Sequence, residues 1–441
     1  MKYDLIVVGG GPGGLMAAKT AAEDGLKVLL VEQKKDITRI TRSCLQVCYL
    51  EWVCPDGYLE TVKLELSHTG ARFLFPGPGF SIDYTGPLKV LNNCIWISPS
   101  GYKVHTMKDE NFAFYFDKEV FVAGLLAEAE KAGAEVWSGT PGIAAENTKD
   151  GVKVRVRSKS GEQTLEARKA IAADGLNSRI VDSLGLNKER KVFIPRFKSL
   201  SSDLEGVECD FPGHETSILM FKAREGFGLT PRAGNLKSGP TNFKEVMKNP
   251  NYAKYAHWFR NARAVRNYAV SNTVRTPVRE PVVGNVVIVG DAGASAETWI
   301  QGAVACGYQA VKAIEKELNG EKGYPKYINW WQKAFYHNDP GFFPRVFLNF
   351  GLMQTWTDDE IDYVCKFFQG QKLIPTLVLA KNPEQIKDDN PEFYDKLKKG
   401  IAHFTKMIEP LLETYPPGST IFKEPHANLG RWRPYPYVVS Q

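Results

Sequence analysis

A short apolar run, Leu5-Ile-Val-Val8, ends on Gly9-Gly10-Gly11-Pro12-Gly13-Gly14, and this junction constrains the fold more than any other part of the chain. Asp4 through Val8 reads as a buried strand, Leu15-Met-Ala-Ala as a helix, and Gly25-Leu-Lys-Val-Leu-Leu-Val-Glu32 as a second strand closed by an acid. Strand, tight turn, helix, strand and acid form the order of a dinucleotide-binding unit. Gly9 permits the turn, Gly11 lets the backbone approach a pyrophosphate, and Gly14 lets helix and strand pack closely, while the helix N-terminus attracts phosphate charge. Glu32 falls where a carboxylate can accept hydrogen bonds from both ribose hydroxyls. The fingerprint by itself leaves FAD and NAD open.

At 441 residues and 43% hydrophobic content, the chain is long enough for a buried core and for two intimately joined domains. No window approaches twenty uninterrupted apolar residues and the first strand begins at once, so a cytoplasmic protein is expected. Seven irregularly spaced cysteines suit a reducing compartment better than a disulfide framework. The net charge of +6 is spread over interleaved acids and bases, as on an ordinary solvated surface, and no nucleic-acid partner is expected. Cys44, Cys48 and Cys54 are spaced at intervals of four and six, unlike zinc or iron–sulfur ligand sets, and His68 and His105 stand alone. No metal is expected.

Two further segments carry chemistry. Asp117 through Gly133 repeats apolar residues at helical spacing and stops at glycine, and an alternating run from Val152 then delivers the chain through a hairpin to Ala173-Asp174-Gly175. An Asp-Gly pair at a strand end reads first as a simple turn. Much later, Asn285-Val-Val-Ile-Val-Gly290-Asp291 is another buried strand ending in Gly-Asp, and it leads through Gly302-Ala303 into a long helix. Glycine at the strand end lets a cofactor approach, and Asp291 can accept a hydrogen bond from a ribityl chain.

Together, and in this order, the three motifs resemble the flavoprotein superfamily of p-hydroxybenzoate hydroxylase and the geranylgeranyl reductases. The resemblance implies an α/β fold: a Rossmann-type FAD-binding domain, glutathione-reductase-like, with an inserted, mostly antiparallel β-sheet substrate domain and a C-terminal helical region. It assigns residues 1–42, 107–185 and 280–320 to the first, 43–106 and 186–279 to the second, and 321–441 to the helical region and tail. It implies FAD as cofactor, held by Gly9, Gly11, Pro12, Gly13, Gly14, Glu32, Arg42, Ser43, Lys118, Asp174, Gly290 and Asp291, with backbone N–H groups of Gly302 and Ala303 near the flavin ring. Lys118 stands where many members carry arginine.

Within the superfamily, aromatic monooxygenases usually carry Gly-Asp-Ala-Ala-His with a proline beyond it. Here Ala294 takes the histidine position, and no proline precedes Gly302. The halogenase Trp-x-Trp-x-Ile-Pro pattern is absent. The reductase branch places a cysteine after the second strand, and Arg42-Ser43-Cys44-Leu-Gln-Val-Cys48 fills that stretch. Cys44 is the candidate proton donor, with Cys48 second. Members of that branch also carry Tyr-x-Trp-x-Phe-Pro, of which Gly226-Phe227-Gly228-Leu229-Thr230-Pro231 keeps an aromatic and the proline but no tryptophan.

The expected activity is reduction of a carbon–carbon double bond in an apolar or aromatic substrate. An aromatic monooxygenase and a non-catalytic electron-transfer subunit are the alternatives. With no second glycine fingerprint, electrons would come from transiently docked NAD(P)H, an electron-donor protein or a quinol. Near the C-terminus, Thr357 and Glu360 read as a helix-capping box. The Phe-rich stretch 342–350 reads as core packing in preference to peripheral membrane contact, and 415–441 as an extended tail.

Overall fold

The strand-turn-helix junction lies in an eight-stranded sheet, the largest among the described residues. In the computed structural model, residues 2–42, 44, 46–50, 62–107, 111–206, 263–295, 297–338 and 355–414 are described, with short pieces at 214–216, 220–223, 227–229, 257, 260–261 and 351–352. The first strand, β1 (Tyr3–Val8), pairs in parallel with β2 (Val28–Val31) on one side and with the end of the long strand Gly161–Ala172 on the other. Glu135–Trp137 extends the sheet beyond β2 in parallel, and Val286–Ile288 lies parallel to residues 170–172. Leu5, Val7, Leu29, Leu30, Val31 and Ile171 are all fully buried, as a parallel sheet covered on both faces requires.

The helix α1 (Pro12–Glu23) covers one face of this sheet. Beside it runs α2 (Lys118–Lys131), whose N-cap Asp117 accepts a hydrogen bond from the Glu119 N–H at 2.8 Å. Gly133 follows the end of α2 at φ +102°, a left-handed residue of the kind that stops a helix. The hairpin read from the alternation is present: Val152–Ser158 pairs antiparallel with the first half of Gly161–Ala172.

The chain leaves this sheet twice. Strands Asn93–Ile97 and Lys103–Met107 join strands drawn from 192–275 in a seven-stranded sheet, so segments far apart in sequence form the inserted layer. Three of the pairings in this sheet are antiparallel and three are parallel, and the four pairings of the two three-stranded sheets beside it are all antiparallel. Alternation of apolar residues reports which face of a strand is buried and carries no information on the direction of its neighbour. Two three-stranded sheets complete the insertion. One of them pairs β3 (Val47–Tyr49) with Ala113–Phe116. The packing between them is aromatic, with Phe73 in ring contact with Tyr84, Phe114, Phe116 and Phe121.

Helix α3 (Arg179–Ser183) follows the Asp174 turn, and α4 (Trp299–Leu318) packs on α1. Helix α5 (Tyr324–Ala334) is tied to the large sheet, where the Tyr327 hydroxyl donates to the Ile288 carbonyl (2.7 Å) and the Trp331 indole to the Val278 carbonyl (2.8 Å). Helix α6 (Asp358–Phe367) opens with the expected capping box, Thr357 N–H to Glu360 at 2.6 Å and Glu360 N–H to the Thr357 hydroxyl at 3.2 Å. Beyond it, Pro375–Lys381 and Pro391–Thr414 are helical, and buried side chains of this C-terminal region share a core with Trp96 and Val104 of the inserted layer. The Phe-rich stretch 342–350, Cys54 and the tail 415–441 lie outside the described residues.

Candidate FAD site

The first turn of α1 is built from glycine because its backbone has close neighbours on every side but one. Gly9, at φ +110°, lies so near the Ala173 carbonyl that a Cβ there would approach its oxygen to 2.3 Å. A Cβ on Gly14 would meet the Gly9 carbonyl oxygen at 1.9 Å, and one on Gly13 the Ala303 carbonyl oxygen at 2.7 Å. A Cβ on Gly11 meets nothing within 4 Å. Gly11 is the N-cap of α1, carries no capping side chain, and is followed by Pro12, which has no N–H to satisfy. An uncapped helix N-terminus facing open space is a cradle for an anionic group.

Glu32, buried at the end of β2, accepts the Gly10 N–H at 2.6 Å and the Lys34 N–H at 2.8 Å. Its carboxylate thus braces the glycine turn, with remaining lone pairs for further donors. Lys34 turns its ammonium to the Ile37 and Arg39 carbonyls, and burial beside Lys118 lowers its affinity for a proton against the pull of Glu32.

The third motif meets the segment after β2. Gly290 has φ +63°, and Asp291 behind it accepts the Thr298 N–H (2.7 Å), the Thr298 hydroxyl (2.9 Å) and the Arg42 guanidinium. Burial pushes the Asp291 carboxyl up, but Arg42 and Thr298 outweigh it and hold the group below the ordinary carboxylate range. Trp299, the first residue of α4, is held at φ +59°, an unusual conformation for a bulky side chain. Its ring packs on Tyr49 of β3 at 4.6 Å between centroids. Gln301, fully buried, accepts the Tyr49 N–H at 2.7 Å through its side-chain oxygen, fastening β3 to α4.

Gly302 and Ala303 lie in the first turns of α4. A Cβ on Gly302 would lie 2.7 Å from the Phe335 ring, and the Ala303 carbonyl faces Gly13, so both residues serve the packing of α4. Asp174 is likewise turned to local work. Its carboxylate accepts the Ser178 hydroxyl (2.5 Å) and the N–H groups of Arg179 (2.8 Å) and Ile180 (3.3 Å), closing the turn into α3, and burial raises its pKa. Ser43 lies outside the described residues.

Cys44 is half-buried, and its sulfur lies 3.7 Å from the Lys118 ammonium, an approach that nothing in the local sequence foretells. Cys48 is fully buried in β3, and burial pushes its thiol far above the ordinary range. Between them stands Gln46, fully buried at φ +54°. Its amide nitrogen donates to both Asp203 oxygens (3.0 and 3.1 Å), its amide oxygen accepts the Lys118 N–H (3.0 Å), and its backbone carbonyl accepts the Phe116 N–H (3.0 Å). Asp203 is fully buried and faces Arg266 at 3.0 Å and the Tyr268 hydroxyl; Arg266 also pairs with Asp117 and Glu119, each at 2.8 Å. Among the described residues, no group of three or more His, Cys, Asp or Glu is placed to hold a metal ion. None of the described helices is long and apolar enough to cross a membrane.

Residues 2–280, more than half of the chain, match the family described as FAD binding domain. The chain belongs to that family. The open cradle at Gly11, the braced acid at Glu32 and the buried Asp291 fit the dinucleotide, and the protein is an FAD-dependent oxidoreductase. It is similar to digeranylgeranylglycerophospholipid reductases. The identity is 24% with that of Methanococcoides burtonii, over 92% of this chain and 98% of the relative, and 25% with that of Methanosarcina acetivorans, over 76% and 82%. With that of Methanocaldococcus jannaschii it is 30% over 43% of this chain, a match that spans only 42% of the relative's length. A geranylgeranyl bacteriochlorophyll reductase-like structure from Thermoplasma acidophilum superposes with a TM-score of 0.61 at 18% identity, covering 90% of this chain and 99% of that one. A p-nitrophenol 4-monooxygenase from Pseudomonas putida superposes at 0.55 and 13% identity, over 92% and 98%. Both likenesses are of fold.

Proposed function

We propose that the protein reduces carbon–carbon double bonds of an isoprenoid chain, with a geranylgeranyl-bearing glycerophospholipid as the first substrate to test. The observation that carries the reading is the position of Cys44. Its half-buried sulfur lies two residues from Arg42, which pairs with Asp291, and against Lys118 at the head of α2, so the residues expected around a flavin converge on one thiol. FAD, when bound and reduced, supplies a hydride. Adding a hydride across a double bond leaves the neighbouring carbon in need of a proton, and Cys44 is the acid in reach. Arg42 and Thr298 hold Asp291 in place for the cofactor's ribityl chain, and the first turn of α1 receives the pyrophosphate. Gly290, Lys118 and Glu32 complete the set of residues proposed to line the cofactor. The inserted layer, with residues 227–229 among its strands, is proposed to form the substrate side. Placement in the cytoplasm, with an electron-donor protein or NAD(P)H as source of electrons, completes the proposal.

The relatives' names and the presence of Ala294 where hydroxylases carry histidine support a reductase over a monooxygenase. The test is anaerobic reduction of the holoenzyme followed by addition of geranylgeranylated glycerophospholipid, with the oxidised flavin absorbance as readout. Return of the absorbance with loss of olefinic protons in the lipid is the expected result. No return with this lipid or with shorter polyprenyl substrates, together with substrate hydroxylation in air, would overturn the proposal. Cys44→Ser should slow the reoxidation at least about tenfold while FAD stays bound.

A further inference from the structure

We infer that Lys118 acts through Cys44, as the cation that accommodates negative charge on its sulfur once the thiol has given up its proton. The inference rests on the proposed reductase function for the reacting proton, and on the structure for the pair itself.

The pairing is built into the fold. Lys118 is the first residue of α2, only 7% exposed, with its ammonium 3.7 Å from the Cys44 sulfur. Gln46 sews the two segments together. Its backbone carbonyl holds Phe116, its side-chain oxygen holds the Lys118 N–H, and its amide nitrogen is anchored on Asp203. A left-handed backbone at a glutamine is costly and persists only where the surroundings demand it. Here it directs one residue at three partners and leaves Cys44 opposite the head of α2. The acids nearby are otherwise engaged. Asp117 and Glu119 both pair with Arg266, and Glu119 also accepts the Ile40 N–H at 3.1 Å. The α2 N-terminus adds partial positive charge of its own.

In the proposed reaction the π bond breaks as one carbon takes a hydride from the reduced flavin, which is thereby oxidised, and the other takes H⁺ from Cys44. The S–H electron pair remains on sulfur, the Lys118 ammonium stays protonated beside it, and water later returns the proton to the thiolate.

The test is the rate at which iodoacetamide alkylates Cys44 at about pH 7.5, read by peptide mass spectrometry in the full-length holoprotein and after FAD removal, for wild type, Lys118→Met and Lys118→Arg. Methionine keeps the length of the stem and removes the charge. The expected result is a fall of about tenfold in the Cys44 rate for Lys118→Met, in both forms, with at least half of it restored by Lys118→Arg. Substrate-dependent flavin reoxidation, measured at saturating FAD, should fall in parallel. An unchanged alkylation rate in Lys118→Met overturns the inference. If that variant loses FAD affinity instead, the lysine is a cofactor ligand only. Because alkylation needs no substrate, it can succeed even if no isoprenoid lipid is turned over.

Discussion

Gly11→Ala separates cofactor binding from folding, because this glycine alone in the first motif has room beside it. Its φ of −79° and ψ of 178° are open to any residue, and a Cβ there would touch nothing within 4 Å. Alanine is a poorer N-cap than glycine by about 0.5–1 kcal/mol, and it restricts the unfolded chain by about 0.4–1 kcal/mol in the opposite sense. The two effects nearly cancel, so the urea midpoint of the apoprotein should move by no more than the equivalent of about 0.5 kcal/mol. The added methyl does occupy the place where a pyrophosphate must approach the backbone. Overpacking of a contact costs about 1–3 kcal/mol, or about 5- to 150-fold in affinity. Titration of apoprotein with FAD, followed by quenching of flavin fluorescence, should therefore show a loss of at least about fivefold. Wild-type affinity in Gly11→Ala would refute the placement of the pyrophosphate at this turn. Gly14→Ala is the contrasting control: its Cβ would lie 1.9 Å from a backbone oxygen, and it should lose stability as well as cofactor.

Three further outcomes follow from the packing and the charges. Gly307→Ala would place a Cβ 2.2 Å from the Gly13 oxygen where α4 crosses α1, and it should destabilise the fold by about 2 kcal/mol in urea despite alanine's better helix propensity. Arg266→Leu leaves Asp203 and Asp117 without their shared cation, and should cost about 3–5 kcal/mol, measured as a lower denaturation midpoint. Asp117 and Asp291 both have folded pKa values depressed by their arginine partners, so the stability they contribute is complete above the unfolded carboxylate range, near about pH 4. It is lost as pH falls further, through their folded values, and Arg42→Gln should flatten the acid limb of a plot of stability against pH.

The parts of this molecule that were legible in the sequence are those fixed by neighbours along the chain. The β1 turn, the helix from Asp117 with its stop at Gly133, the hairpin from Val152 and the Thr357 box each depend on residues a few positions apart, and each is found as read. The polar network behind Cys44 was not readable, because Asp203 and Arg266 are brought opposite each other only by the register of two long strands. Gln46 gave no signal either, since nothing in a side chain announces that its backbone will be left-handed. For Asp174, the bland reading as a turn accounts for every hydrogen bond its carboxylate makes.

The long strand Gly161–Ala172 finds its last neighbour, Val286–Ile288, more than a hundred residues downstream. A polypeptide stopped at residue 280, where the family match ends, would therefore lack both that neighbour and Asp291. Its sheet would present the main chain of 170–172 as a raw border, and two such truncated molecules could satisfy those amides by pairing with each other. Minimal flavin-binding versions of this protein should be cut no earlier than the end of α5, whose tyrosine and tryptophan fasten that last strand and the segment leading into it.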